Sequence, residues 1–416
     1  MQTKSKNKKN IILLIVTSFP QEKLDEPINP WITEKVLKLK DDFEIKIFTS
    51  AFKGKTKTQF KEIKKIYRFR YFPSQYEDLT HKISVLDKLK ENKKNWIKVF
   101  LFLISGFLNS IYFTLKENFD IIHVHWPLPL ALFGIVPKFL KNKPLIYTFH
   151  SAGLNIAQKY TILKLILRIL LKFADAITVN STFTLKQLEK TATKNLLKNK
   201  IIKIIPFSGT LKENTKIDLS KKKKKILFVG RFVERKGIEY LVKAFAKIYK
   251  KDSCKDWTLT LAGRKGPEKE KILKLIEELN LKNRVSIKFE LNEEEKKQEY
   301  AESSIFVLPS IIDRKGDTEG LGTVLIEAGL YKNALIGSNV GGIPDIIKHG
   351  ETGLLVPQKD VNKLADAIEK LIKNEELRKK LAENAHNYVK QNFSWNKIIE
   401  EFKKLYKELI NKTQKH

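Results

Sequence analysis

The feature that most constrains this chain is an alternation. Short β-rich apolar runs recur along its 416 residues, each followed by a loop and then by a stretch with helical spacing. Ile11 to Ser18 is a continuous run of this kind, as expected of a strand covered on both faces. Pro30 to Lys40 then reads as a helix and Phe43 to Thr49 as the next strand. The pattern continues through DIIHVHW, PLIYTFH, AITVNS and IIKIIPF, and again through ILFVG, TLTLAG and VSIKF. Parallel strands need crossover connections and helices supply them, so the chain reads as doubly wound α/β. Its length asks for two cores of roughly 200 residues each. Residues 211–225, polar and ending in five consecutive lysines, read as a solvated linker between two domains, 1–210 and 226–392.

The net charge is +33, carried mostly by lysines scattered over every segment. A nucleic-acid reader would concentrate Arg and Lys on one element with aromatics between them, and no element here does so. Attraction to anionic lipid surfaces is the expected consequence. A single cysteine, Cys254, excludes a disulfide framework within the chain and fits a reducing cytoplasm. The basic start, Met1 to Asn10, leads into an apolar run too short for a signal peptide and without a small-residue cleavage pattern, so a first strand is expected there.

Two helical segments of the first half bear on membranes. Val99 to Leu115 is uncharged for seventeen residues, at the lower limit for spanning a bilayer. It reads either as a helix buried against the sheet or as a surface helix dipping into the membrane interface. Tyr160 to Phe173 places Lys164, Arg168 and Lys172 four apart, a basic face on an otherwise apolar helix.

Chemistry concentrates between Phe306 and Ala328. A short strand, Ser304 to Leu308, leads through a polar loop into a helix resuming at Thr323. Gly320, Leu321, Gly322 and Thr323 bring the first unpaired N–H groups of that helix into reach of an anion. Glu319 and Glu327 flank the junction, roughly 12 Å apart if the path between them is fully helical. Earlier, Gly230 ends a strand, and Arg231 and Lys236 stand in the loop before Gly237, where Arg grips phosphate bidentately and Lys acts as a point charge. His150 ends the strand PLIYTFH, at the sheet edge where open α/β folds bind ligands. His123 and His125 share one strand face, but no third ligand stands at recognisable spacing and no metal is expected.

The arrangement E319-GLGTVLI-E327, together with G-R-x(4)-K-G at Gly230 to Gly237, resembles the retaining glycosyltransferases of family 4. The resemblance is strong from Ile226 to Pro357 and looser before it. It implies a GT-B fold, two Rossmann-like doubly wound parallel-sheet domains facing a cleft. The first domain would take the acceptor and the second a nucleotide-sugar, with residues 393–416 forming a helix that crosses back. It implies that Glu319 and His150 contact the donor sugar, that Glu327 contacts the ribose, and that Arg231 and Lys236 hold the diphosphate. One departure stands out: relatives place a Gly-x-Pro turn after the Glu helix, and this chain has Lys332, Asn333 and Ala334. Asn333 is the residue expected to accept the left-handed conformation there.

The chain thus reads as a glycosyltransferase moving a sugar from a nucleotide-sugar donor to a glycan or lipid-linked acceptor with retention. No Asp-x-Asp occurs in the sequence, so the leaving phosphate is expected to be met by Arg231, Lys236 and backbone N–H groups without a metal cofactor. The implied location is cytoplasmic, peripheral on the cell membrane. Two other classes remain in view. An epimerase or phosphorylase of the same fold would need acid–base residues around the sugar or a cofactor lysine. A polycationic binder of nucleic acid or membrane would show steep salt dependence instead of specific nucleotide binding.

Overall fold

A computed structural model of the chain describes residues 9–414 apart from 25, 27, 82–84, 86–87, 90–91, 93, 210, 212–216 and 218–221. The basic start lies almost wholly outside the described residues, as does most of the expected linker. The chain divides into two compact units. One comprises Met1–Asn180, Leu185–Ile205 and Ile398–His416, the other Ser181–Thr184 and Pro206–Lys397.

The first unit is built on a seven-stranded sheet in the order β3-β2-β1-β4-β5-β6-β7. Its strands are β1 (Ile11–Ile15), β2 (Glu44–Ser50), β3 (Lys65–Phe69), β4 (Ile121–His125), β5 (Leu145–Phe149), β6 (Ala176–Val179) and β7 (Ile201–Ile204). Every ladder is parallel. The central strands β4, β5 and β6 are buried at every position, which is why they carry no carboxylate, lysine or arginine. Strand order reverses between β1 and β4, so the loops after these two diverge and open a crevice at their carboxyl ends.

Two helices of this unit show apolar surface. The helix Asn95–Lys116 is long and apolar enough to cross a membrane. It is neither wholly core nor wholly surface. Phe102, Gly106 and Phe113 are buried, while Trp96, Phe100, Leu108, Tyr112 and Leu115 are more than half exposed. Gly106 is where it crosses the helix Pro127–Lys141: a Cβ there would lie 2.2 Å from Phe133 Cζ. In the helix Thr161–Leu171 the residues read as one basic face part company, with Lys172 just past its end exposed. Arg168 turns back to donate from Nε to the Thr191 carbonyl at 2.8 Å, and Ile162, Leu165, Ile166 and Ile169 face outward instead. Leu and Ile occupy nearly every position of this helix, so sequence periodicity could not tell which side meets the sheet.

The second unit carries a six-stranded parallel sheet in the order β10-β9-β8-β11-β12-β13. The strands are β8 (Lys223–Val229), β9 (Thr258–Gly263), β10 (Val285–Phe289), β11 (Ser303–Leu308), β12 (Ala334–Ser338) and β13 (Leu354–Val356). Here the order reverses between β8 and β11. Among the described part of the expected linker, the lysine run is not a solvated hinge. Lys223 to Lys225 already belong to β8, with Lys225 buried beside Glu299 at 2.7 Å. Lys222 donates to three carbonyls, of Tyr300 (3.0 Å), Ser303 (2.7 Å) and Tyr331 (2.7 Å). Lysine composition hides this, because only the partners, some eighty residues away, distinguish these lysines from the rest.

Local chemistry sets the helix ends of this unit. Asp360 caps the helix Val361–Lys373 by accepting from Lys363 N at 2.9 Å. After the helix Thr323–Leu330 the left-handed residue is Lys332 (φ 51°), not Asn333. Asn333 is fully buried and donates from Nδ2 to the carbonyls of Tyr300 (3.0 Å) and Ser303. Its amide does the bracing that the Pro turn provides in the resemblance. The last helix, Trp395–Gln414, belongs to the first unit from Ile398 onward.

Candidate active site

In the second unit the loops after β8 and β11 meet. Past Gly230 the guanidinium of Arg231 is exposed and makes no hydrogen bond or ion pair among the described residues. A single 3-10 turn, Glu234–Lys236, follows, and Gly237 (φ 63°) closes it. Glycine is required at this position, since a Cβ would stand 2.0 Å from the Pro309 carbonyl oxygen. The turn drives Lys236 inward, where its ammonium pairs with Glu319. Arg235 reaches the same carboxylate oxygen from Nη1 at 3.3 Å and lies 3.7 Å from Asp317 through Nε. Burial alone would raise the Glu319 carboxyl, but Lys236 and Arg235 overcome it and hold it down to about 2. Arg235 was missed in the sequence because it is one of many basic residues and its partner lies 84 positions on.

The backbone around Glu319 is clamped as well. Gly342 N donates to the Glu319 carbonyl at 2.9 Å. A Cβ on Gly341 would come within 2.0 Å of that carbonyl oxygen, and one on Gly342 within 2.3 Å of the Gly320 oxygen. The two glycines are therefore a close-packed seat for Glu319 and Gly320. Residues 320–322 are not helical, so the fully helical separation of Glu319 and Glu327 does not hold. The helix starts at Thr323, after Gly322 in the left-handed conformation (φ 89°), and no side chain caps it. Its first N–H groups and the positive end of its dipole are left to a ligand.

Glu327 lies one turn further on, 2% exposed. Its Oε2 accepts from the Tyr300 hydroxyl at 2.9 Å and pairs with Lys296 Nζ at 2.7 Å. Gly209 leaves it room, since a Cβ there would lie 2.9 Å from Glu327 Cγ. Tyr300, Lys296 and Gly209 carried no signal in the sequence, because none belongs to the motif that marks Glu327.

In the first unit the reversal between β1 and β4 gathers aromatic and basic groups. His150, just past β5, is flanked by Trp31 and Trp126, each 4.7 Å from its ring centroid. Trp126 itself is left-handed (φ 55°). His125 Nδ1 lies 2.9 Å from His150 Nε2, and Lys35 Nζ lies 2.5 Å from His125 Nε2. His123 is satisfied on both sides, by the Tyr406 hydroxyl at 2.7 Å and Thr148 Oγ1 at 2.6 Å. Burial first, and then the neighbouring Lys35, pushes all three imidazoles well below the usual histidine range. They are neutral at pH 7. Among the described residues no group of three or more His, Cys, Asp or Glu is arranged to hold a metal ion.

The family Glycosyl transferases group 1 matches residues 210–388, and Glycosyltransferase Family 4 matches residues 84–206. An uncharacterised glycosyltransferase of Methanocaldococcus jannaschii is 30% identical over 343 residues, 80% of this chain and 88% of that one. The N-acetyl-alpha-D-glucosaminyl L-malate synthase of Bacillus anthracis is 28% identical over 303 residues, 71% and 76% of the respective chains. Among solved structures, HepE of Anabaena in complex with UDP superposes with a TM-score of 0.69 at 18% identity, covering 96% of this chain and 100% of its own.

Proposed function

The chain belongs to the group 1 glycosyl transferases, glycosyltransferase family 4, with the GT-B fold, and from that membership we propose that it transfers a sugar from a nucleotide-sugar to a glycan or lipid-linked acceptor with retention of configuration. The second unit takes the donor and the first takes the acceptor. The observation that carries this reading is the convergence of Lys236, Arg235 and Glu319 beside the uncapped helix start at Gly322. Without ligand, Glu319 balances the two cations. A diphosphate brings its own negative charge to Arg231, Lys236 and the N–H groups of Gly320 to Thr323, and Glu319 is released toward the sugar.

Transfer then breaks the bond between the anomeric carbon and the diphosphate oxygen and forms one to an acceptor hydroxyl on the same face. The acceptor proton passes to the departing phosphate oxygen. Glu319 and His150 contact the sugar that moves, and Glu327, its rotamer locked by Tyr300 and Lys296, holds the ribose. The leaving charge is met by protein groups without a divalent metal. The apolar faces of the helices Asn95–Lys116 and Thr161–Leu171 support peripheral docking of the first unit on an anionic membrane, at its cytoplasmic side.

Since the Anabaena relative holds UDP, uridine diphosphate is the first probe, followed by the other nucleoside diphosphates. One of them should raise the melting temperature in excess EDTA. Arg231→Ala should leave the unliganded melting temperature unchanged, because its guanidinium makes no hydrogen bond or ion pair among the described residues, and should weaken that nucleotide about ten- to a hundredfold, the worth of a charge-assisted hydrogen bond. Stabilisation that needs magnesium or manganese would refute the metal-free electrostatics. Indifference to every nucleoside diphosphate would refute the donor assignment.

A further inference from the structure

Lys35 is 3% exposed, and among the described residues no carboxylate pairs with it. Its Nζ has two neighbours in contact: His125 Nε2 at 2.5 Å and the face of the Phe402 ring, 4.7 Å to the centroid. The π cloud of Phe402 accepts, and Lys35, with at least two N–H groups and at most one lone pair, is read as the donor to His125 Nε2 as well. That choice propagates. A neutral imidazole has one N–H and one lone pair, so a chain of such rings has a direction. If His125 Nε2 accepts, its proton is on Nδ1 and is donated across 2.9 Å to His150 Nε2. His150 Nε2 is then the bare nitrogen and Nδ1 carries the proton. The His150 ring cannot exchange its nitrogens by turning, because Trp31 and Trp126 flank it and His125 lies nearly parallel to it at 5.1 Å.

We propose that Lys35 and His125 are positioning residues that hold His150 as the Nδ1–H tautomer, so that His150 meets the transferred sugar as a hydrogen-bond donor to one of its oxygens. The tautomer follows from Lys35 acting as the donor to His125. Its use rests on the reading that His150 contacts the sugar. Neutral imidazole left to itself favours the proton on Nε2, so the arrangement imposes the less common form, and a lysine that merely filled space would not.

The test is a two-bond proton–nitrogen NMR spectrum of the 15N-labelled, unliganded full chain. His150 should show a protonated Nδ1 and a bare Nε2. Lys35→Met should shift its signals toward the Nε2–H form, and Lys35→Arg, an obligate donor, should preserve the wild-type pattern. A wild-type His150 protonated on Nε2 overturns the proposal, and needs no variant to fold. So does a Lys35→Met protein with its His150 tautomer unchanged. In turnover, Lys35→Met should lower kcat about tenfold, the scale of one hydrogen bond, with uridine diphosphate affinity unchanged and Lys35→Arg restoring most of the rate. If His150→Ala keeps full kcat, the functional half falls, and the spectrum still decides the tautomer.

Discussion

Glu319 and Glu327 are held in different ways, and they should fail differently. Glu327 is assigned to the ribose, a contact that does not change during reaction, so Glu327→Gln should mainly raise the donor KM. Glu319 is assigned to the sugar that gains positive charge, so Glu319→Gln should mainly lower kcat, about ten- to a hundredfold, with the nucleoside diphosphate still bound. Steady-state kinetics over a range of donor concentrations separates the two, and full kcat in Glu319→Gln would defeat the assignment. The same carboxylate has a pH signature. Its pKa is depressed to about 2 in the folded chain by Lys236 and Arg235 working against burial. The stability it adds is therefore complete above its ordinary value near 4.5 and is lost as pH falls toward 2. The difference in urea midpoint between wild type and Glu319→Gln should be flat from pH 7 to 5 and shrink steadily below that. At this scale the sequence marked the loops that the second unit brings together, because glycines, a lysine and two glutamates at fixed spacing are local signals. Arg235, Tyr300, Lys296 and Lys35 were invisible, since each acquires its role from a partner distant in sequence.

The second unit's elements are tied together by a knot of buried polar contacts behind Glu327. Lys222 and Asn333 converge on the carbonyls of Tyr300 and Ser303, and Tyr300 in turn holds Glu327. Lys222→Met would take the side-chain donor from the Tyr331 carbonyl and leave those of Tyr300 and Ser303 to Asn333 alone, at a cost of about 1–3 kcal/mol. It should also raise the donor KM without touching the ligand, because Tyr300 would lose one of the two side chains that brace its backbone. Urea unfolding and donor kinetics on the one variant check both halves. Apart from β3, with Lys65 and Arg68 among its five residues, the strands of both sheets were legible because a strand covered on two faces runs largely apolar. Helix orientation was not. Thr161–Leu171 is apolar on nearly all sides, and only its packing shows that Arg168 faces the protein and Ile162, Leu165 and Ile169 do not.

For the molecule as a whole, the proposed docking draws on the charge of +33 and on these outward apolar side chains together. The protein should float with anionic vesicles at low salt, bind neutral ones less, and lose most of this when Trp96 and Phe100, 62% exposed each, are both changed to Ser. Equal binding to neutral and anionic vesicles would remove the electrostatic half of the idea. Unchanged flotation of the double variant would remove the apolar half. The last helix has a different reach. Tyr406 bonds to His123 across 283 positions of chain, and the helix from Ile398 belongs to the first unit. A nascent chain emerges at about 5–20 residues per second. The first sheet therefore leaves the ribosome without its final helix, and it waits, one flank open and in need of protection, until the entire second unit has been synthesised.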